Sequence, residues 1–156
     1  MIEVDVPGDK RLRLNHLVLD YNGTLAVDGR LIQGVGTALN QLSASIAVHV
    51  ITADTFGMAE RALEGVSCRV SILPKARQAE AKLAYVEGLG AAQTVSMGNG
   101  RNDRLMLQSS ALGVAVMLEE GIAVETLMAA DIVVGGILPA LSLLSNPLRM
   151  VATLRS

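Results

Sequence analysis

The sequence predicts an α/β domain: a Rossmann-like parallel sheet with helices on both faces, in three α/β/α layers. Three observations lead there. The apolar half of the chain (51% of 156 residues) is built from Ala, Val, Leu, Ile and seven Met, with only Tyr21, Phe56 and Tyr85 as aromatics. Small branched side chains of this kind suit strands buried on both faces. Six short apolar runs each end in a polar or glycine-rich turn, and the segments between them carry helical spacing. That alternation describes repeated βαβ units, whose right-handed crossovers put helices on both sides of the sheet.

Taken in order, Ile2, Val4 and Val6 alternate before Pro7-Gly8-Asp9, and Leu12 and Leu14 alternate after it. This is an N-terminal β-hairpin feeding the body of the domain. HLVLD (16–20) is the first strand of the sheet. Leu25-Ala26-Val27 and Arg30-Leu31-Ile32 flank Asp28-Gly29, the turn of a second hairpin. Val35, Leu39 and Leu42 then share a helix face, followed by IAVHVIT (46–52) as a strand. Met58, Ala62 and Leu63 mark the next helix and CRVSIL (68–73) the next strand. Ala79, Leu83 and Val86 give a third helix before TVSMG (94–98), GVAVM (113–117) and DIVV (131–134). Ile137, Leu138 and Leu141 open a last helical segment, where the apolar run 137–154 reads as core packing, with a subunit contact as the alternative.

Composition excludes several classes. The apolar content rules out disorder. One cysteine, Cys68, rules out a disulfide framework and a cysteine-built zinc site. Mean hydropathy is +0.43, yet the longest uncharged stretches, 31–53 and 132–148, are broken by polar residues, Gly or Pro and do not read as spanning helices. The opening MIEVDVPGDK has acids and no apolar signal core, so a cytoplasmic chain is expected. A net charge of −2 without a basic block, and with few aromatics, argues against nucleic-acid binding. A chain of this length buries roughly 68% of its unfolded surface, enough for one core, so residues 1–156 are expected to form a single domain. His16, His49 and Cys68 read as packed side chains, and Met97, Met106, Met117 and Met128 as core filler.

In parallel α/β sheets ligands bind at the carboxyl ends of the strands. Here those ends carry Asp20-Tyr21-Asn22-Gly23-Thr24, Thr52-Ala53-Asp54 and Gly98-Asn99-Gly100-Arg101-Asn102-Asp103, with a helix bearing Lys82 before the strand 94–98. A carboxylate at the end of a buried strand is costly unless used or paired. An Asp, a hydroxyl, a Lys and a second Asp along one edge can form a phosphate site. The Asp is then nucleophile and metal ligand, the hydroxyl and Lys hold phosphate oxygens, and the remaining oxygens hold Mg2+.

Asp20-Tyr21-Asn22-Gly23-Thr24-Leu25 resembles the DxDGT(L/V) first motif of the haloacid dehalogenase-like hydrolase superfamily. Thr52 resembles its second motif, Lys82 in KLAYVEGL (82–89) its third, and GNGRND (98–103) its fourth, GDGxND. The four matches come in the family's order and span residues 16 to about 117. GNGRNDRLML resembles most the soluble P-type ATPase-like branch. The resemblance implies a phosphohydrolase with Asp20 as nucleophile through an aspartyl-phosphate. It implies Thr52, Ala53, Gly23 and Lys82 around the phosphate, and Asp20, Asn22, Asn99 and Asp103 around Mg2+. The substrate implied is a phosphorylated small molecule or an exposed phosphoryl group. Taken singly, each match has a plainer reading: a turn at 20–23, Thr52 as the cap of a helix over 53–60, Lys82 as a solvated helix residue, and 98–103 as a loop and cap. Lys75 is a rival for the role of Lys82.

Two positions depart from the family pattern. Asn22 stands where the family's phosphatases carry the general acid, and an amide supplies no proton near neutral pH, so turnover is expected to be slow. Asn99 stands where the family has a metal-binding Asp, so weaker Mg2+ binding is expected. The stretches 20–52 and 52–82 are filled by ordinary elements, leaving no room for a cap domain. An open site of this kind takes a macromolecular substrate or is closed by a neighbouring subunit, which makes a homo-oligomer an expectation. No membrane segment or nucleotide-binding insert of an ion pump is expected. A catalytically impaired module that binds phosphate or a partner stays open as the alternative.

Overall fold

The computed structural model describes residues 1–54 and 56–156. In chain order these form β1 (Ile2–Asp5), β2 (Arg11–Leu14), β3 (His16–Asp20), β4 (Ala26–Val27), β5 (Arg30–Leu31), α1 (Val35–Leu42), β6 (Ala47–Thr52), α2 (Met58–Ala62) and β7 (Arg69–Ile72). The chain continues with α3 (Gln78–Leu89), β8 (Thr94–Gly98), α4 (Arg104–Ser109), β9 (Leu112–Val116), α5 (Val124–Ala129), β10 (Ile132–Val134), α6 (Ile137–Ser145) and α7 (Pro147–Leu154).

Six strands pair in parallel in the order β10-β9-β8-β3-β6-β7, as the alternation of strand and helix patterns predicts. Strands β3, β6 and β7 advance to one side, and α3 then carries the chain back so that β8 pairs on the other flank of β3. The order therefore reverses between β3 and β8, and a crevice opens at such a reversal beyond the strand ends. Side chains alternate across the central strand: Leu17 and Leu19 enter the larger core with α1 and α6, while Val18 enters a smaller one with Val86, Met106 and Leu107.

The two hairpins form where expected. In β4–β5 both Asp28 (φ 50) and Gly29 (φ 76) have positive φ, which matches strand twist in a two-residue turn. The β1–β2 hairpin buries Ile2, Val4, Leu12 and Leu14 in the larger core. The apolar run 137–154 divides into α6 and α7, which meet at 101° across Asn146-Pro147. Ile137, Ala140, Leu141 and Met150 are buried there, in keeping with core packing. Among the described residues no single helix is long and apolar enough to cross a membrane.

Several details differ from the sequence reading. Helices α4 and α5 were not expected, because six residues give too few turns for an apolar period to show. Met117 and Met128 are 52% and 77% exposed rather than core filler: one follows the end of β9, and the other lies opposite the inward Thr126 of α5. In α2 the buried residue is Ala59, not Met58, and in α3 Lys82 shares the buried face with Val86. His16 and His49 do pack, and they also join a polar chain. His16 Nδ1 lies 3.2 Å from His49 Nε2, His49 Nδ1 lies 3.0 Å from the Tyr85 hydroxyl, and that hydroxyl lies 3.2 Å from Ser71 Oγ. Burial, with His16 and Arg69 nearby, pushes His49 down to about 4, so it is neutral at physiological pH.

Gly113 allows β9 to lie against α4. A Cβ there would stand 2.5 Å from the main-chain oxygen of Leu107. Gly113→Ala is expected to destabilise the fold by about 1–3 kcal/mol, with a Tm lowered by several degrees in calorimetry. An unchanged Tm would contradict this packing.

Candidate active site

The carboxyl end of β3 places Asp20 at the strand-order reversal, and β8 delivers the loop 98–103 beside it. Helix α3 supplies Lys82 from below. Its side chain is 2% exposed, and its Nζ donates to Asp20 Oδ1 at 2.7 Å and to Asp103 Oδ1 at 2.6 Å. Burial is the larger influence on Asp20 and the Asp103 charge the next. Together they outweigh Lys82 and push Asp20 up to about 7. On Lys82 burial works against the charge, but the two carboxylates prevail and hold the ammonium above its ordinary value.

Asp103 is fully buried, and its Oδ2 accepts the amides of Asn99 (3.0 Å) and Gly100 (2.9 Å). It thereby closes its own loop while Oδ1 holds Lys82. Gly98 is needed for this closure, since a Cβ there would stand 2.5 Å from the Asp103 carboxyl. Thr126 Oγ1 of α5 donates to Gly100 O at 2.6 Å, and Ala123 N donates to Asn99 O at 2.9 Å, so the loop is fastened from outside as well.

Thr52, at the end of β6, is 2% exposed, and its Oγ1 accepts the Asp54 amide at 3.2 Å. The N-cap of the following helix is Gly57, and the side chain that accepts a first-turn amide is that of Asp54 rather than Thr52. Its carboxylate accepts the amides of Phe56 (2.9 Å) and Ala59 (2.8 Å), which hold it below the usual carboxylate range. The helix starts at Met58 and not at 53; Thr55, within the expected span 53–60, lies outside the described residues.

A cavity of about 510 Å³ opens over these strand ends. Of the residues expected around a phosphate and metal, Asp20, Asn22, Thr52, Ala53 and Asn99 line it, as does the rival Lys75. Lys82 and Asp103 stand behind Asp20, not in the cavity wall. Gly23 is not in the wall either. Its amide donates to Ala26 O at 2.9 Å, so it is not free for a phosphate, and its φ of +74° and missing side chain make room for Asn99, whose Nδ2 would be 2.5 Å from a Cβ. The Asn99 amide is fitted to its surroundings: Nδ2 donates to Gly121 O at 3.0 Å, and Oδ1 accepts a long 3.4 Å contact from Thr24 Oγ1. A carboxylate there would face the Gly121 carbonyl with no proton to share. Sequence reasoning missed Phe56, Met58, Gln78, Asn102 and Glu120 in the wall. Asn102 Nδ2 donates to Gln78 Oε1 at 2.6 Å, tying the loop to α3, and no motif signals that pair. Among the described residues no group of three or more His, Cys, Asp or Glu side chains is placed to hold a metal ion.

No protein-family profile matches the chain. A 61-residue stretch is 44% identical to an uncharacterized protein of Methanocaldococcus jannaschii, covering 39% of this chain and 66% of that protein, just under two thirds of its length. Among solved structures, a HAD superfamily (subfamily III A) hydrolase from Legionella pneumophila superposes with a TM-score of 0.71 at 19% identity, over 90% of this chain and 87% of that one. The 3-deoxy-D-manno-octulosonate 8-phosphate phosphatase of Moraxella catarrhalis, in complex with magnesium, phosphate and KDO, gives 0.67 at 18% identity, over 91% and 94%. The cobalt-bound phosphatase of the same kind from Haemophilus influenzae gives 0.69 at 17%, over 89% of each chain. These likenesses establish a HAD-like α/β fold. They give no support to the P-type ATPase-like branch suggested by GNGRNDRLML, a short local match.

Lys82→Met leaves Asp20 and Asp103 buried around a missing cation and is expected to cost about 3–5 kcal/mol at pH 8. Asp20 titrates at about 7 when folded against 3.8 unfolded. The stability linked to its proton is therefore full below the unfolded value and lost as pH rises through the folded one. Urea midpoints at pH 5 and pH 8 check this: the deficit of Lys82→Met should be smaller at pH 5. An equal deficit at both would contradict the shared-cation arrangement.

Proposed function

We propose that the chain is a phosphohydrolase of the haloacid dehalogenase-like type, a single domain without a cap, acting on a phosphorylated small molecule through an aspartyl-phosphate on Asp20. The observation that carries this reading is one carboxylate in a cavity wall, held by a buried lysine through one oxygen only. Asp20 Oδ2 attacks phosphorus, the bond from phosphorus to the leaving oxygen breaks, and that oxygen departs with the electron pair. Water then attacks the aspartyl-phosphate and releases inorganic phosphate and the Asp20 carboxylate. Thr52 Oγ1 and the Ala53 amide hold phosphoryl oxygens, while Lys82 balances charge from behind. Asn22 brings no proton to the leaving oxygen, so esters and acyl phosphates whose leaving groups depart as stable anions are favoured. The likeness to sugar-acid phosphatases supports this reaction class.

The donors fit a weakly held Mg2+: hard oxygens from the Asp20 carboxylate, the Asn22 main-chain carbonyl and the Asn99 amide, with substrate phosphate completing the shell. Asp103, bound on both oxygens, is a positioning residue for Lys82 and the loop rather than a direct ligand. A bound Mg2+ would neutralise charge developing on the phosphoryl oxygens.

The test is to incubate the protein with Mg2+ and an aryl or acyl phosphate while following free phosphate and intact mass. Release should require Asp20 and stop in Asp20→Asn, and a phospho-adduct should accumulate in the parent protein. Asn22→Asp should raise turnover of an alkyl phosphate about 100-fold or more by restoring a proton donor. Phosphate release that survives Asp20→Asn would overturn the mechanism, and silence in both channels from folded protein would favour a binding module.

A further inference from the structure

The chain has one Phe and no Trp. That Phe stands 77% exposed in the wall of the Asp20 cavity, whereas Tyr21 is 1% exposed and Tyr85 is half-buried. A ring left in water forgoes the burial that drives the rest of this aliphatic core. Its backbone is nonetheless fixed at both ends: the Phe56 amide donates to Asp54 Oδ1 at 2.9 Å, and its carbonyl accepts Arg61 Nη2 at 3.0 Å. Lys75 Nζ lies over the ring, 5.9 Å from its centroid. Met58, 45% exposed, lines the same wall and reaches the turn of the β4–β5 hairpin, where a Cβ on Gly29 would stand 3.0 Å from its Cε. The Phe56 backbone is thus held in place while its ring stays largely exposed.

We infer that Phe56 and Met58 form a leaving-group subsite for an aromatic or heteroaromatic ring carried by the phosphate ester, an inference that rests on the phosphohydrolase reading of Asp20. A flat ring stacks on Phe56 and takes the polarizable Met58 sulfur at its edge. A cavity of about 510 Å³ accommodates a phosphoryl group and one ring together. Among the described wall residues Lys75 is the one basic side chain, set beside the acidic Asp20, Asp54 and Glu120, so the wall calls for no anionic ring substituent. An aryl oxide also departs without the proton that Asn22 does not provide, so the exposed ring and the missing acid point to one substrate class.

The experiment is calorimetric titration of the full chain, with Mg2+, by phenyl-, cyclohexyl- and methylphosphonate, none of which can be hydrolysed. Phenylphosphonate should bind about 5- to 10-fold tighter than methylphosphonate, and tighter than the cyclohexyl compound, which is apolar but not flat. Phe56→Ala should bring the phenyl and methyl compounds to within about 2-fold, while Phe56→Tyr, which keeps the ring, should preserve the gap. Thermal melts of each variant report the folded state. Equal affinity for all three in the parent protein, or a gap that survives Phe56→Ala, overturns the subsite while leaving the hydrolase reading standing. Failure of every phosphonate to bind removes the phosphate site itself, and the subsite with it.

Discussion

One ammonium shared by two buried carboxylates is the constraint around which the molecule is organised. Lys82 joins the central strand through Asp20, the loop after β8 through Asp103, and its own helix α3. Two negative charges and one positive charge cannot all be satisfied in a dry interior, so one carboxylate is left easier to protonate, and the geometry assigns that burden to Asp20. Asp103 Oδ2 accepts two backbone amides, from Asn99 and Gly100. The two acids also differ in setting: Asp20 lines an open cavity, and Asp103 is locked into its loop.

Asn99 shows how closely the surroundings are matched to an unusual residue. Its side chain fills the space that Gly23 leaves empty, and its amide nitrogen meets the Gly121 carbonyl. The amide is therefore part of a packed contact between the turn after β3, the loop 98–103 and the segment leading to α5. The loop it sits in is held from inside by Asp103 and from outside by Thr126 and Ala123, which makes it a rigid wall for the cavity.

The sheet was legible because β3, β6, β8 and β9 are continuous apolar runs ended by polar residues, a pattern imposed by burial on both faces. Asp20 and Thr52 were legible as strand ends, and the Asp28-Gly29 turn as a demand for positive φ. Lys82 was not readable from periodicity: a lysine on a helix is ordinarily solvated, and only the motif order pointed inward. The two exposed Met residues were misread because hydrophobicity alone does not give direction on a six-residue helix or past a strand end. Phe56, Gln78 and Asn102 were missed because a cavity wall is assembled from loops and a helix whose meeting is a tertiary fact. The role of Asp54 was hidden by Thr52, an equally good cap two residues earlier.

The central position of β3 has a kinetic meaning. Its neighbours in the sheet are β6 and β8, and Lys82 lies 62 residues from Asp20 and 21 from Asp103 along the chain. No local segment can preform this centre; it exists only once distant parts of the chain have paired across the reversal. Such long-range closure is slow compared with helix formation, because loop entropy must be overcome before the contacts compensate for it. Assembly of the charged triad should therefore coincide with the last cooperative step of folding. Any chemistry it performs then reports the fully native population and no partly folded intermediate.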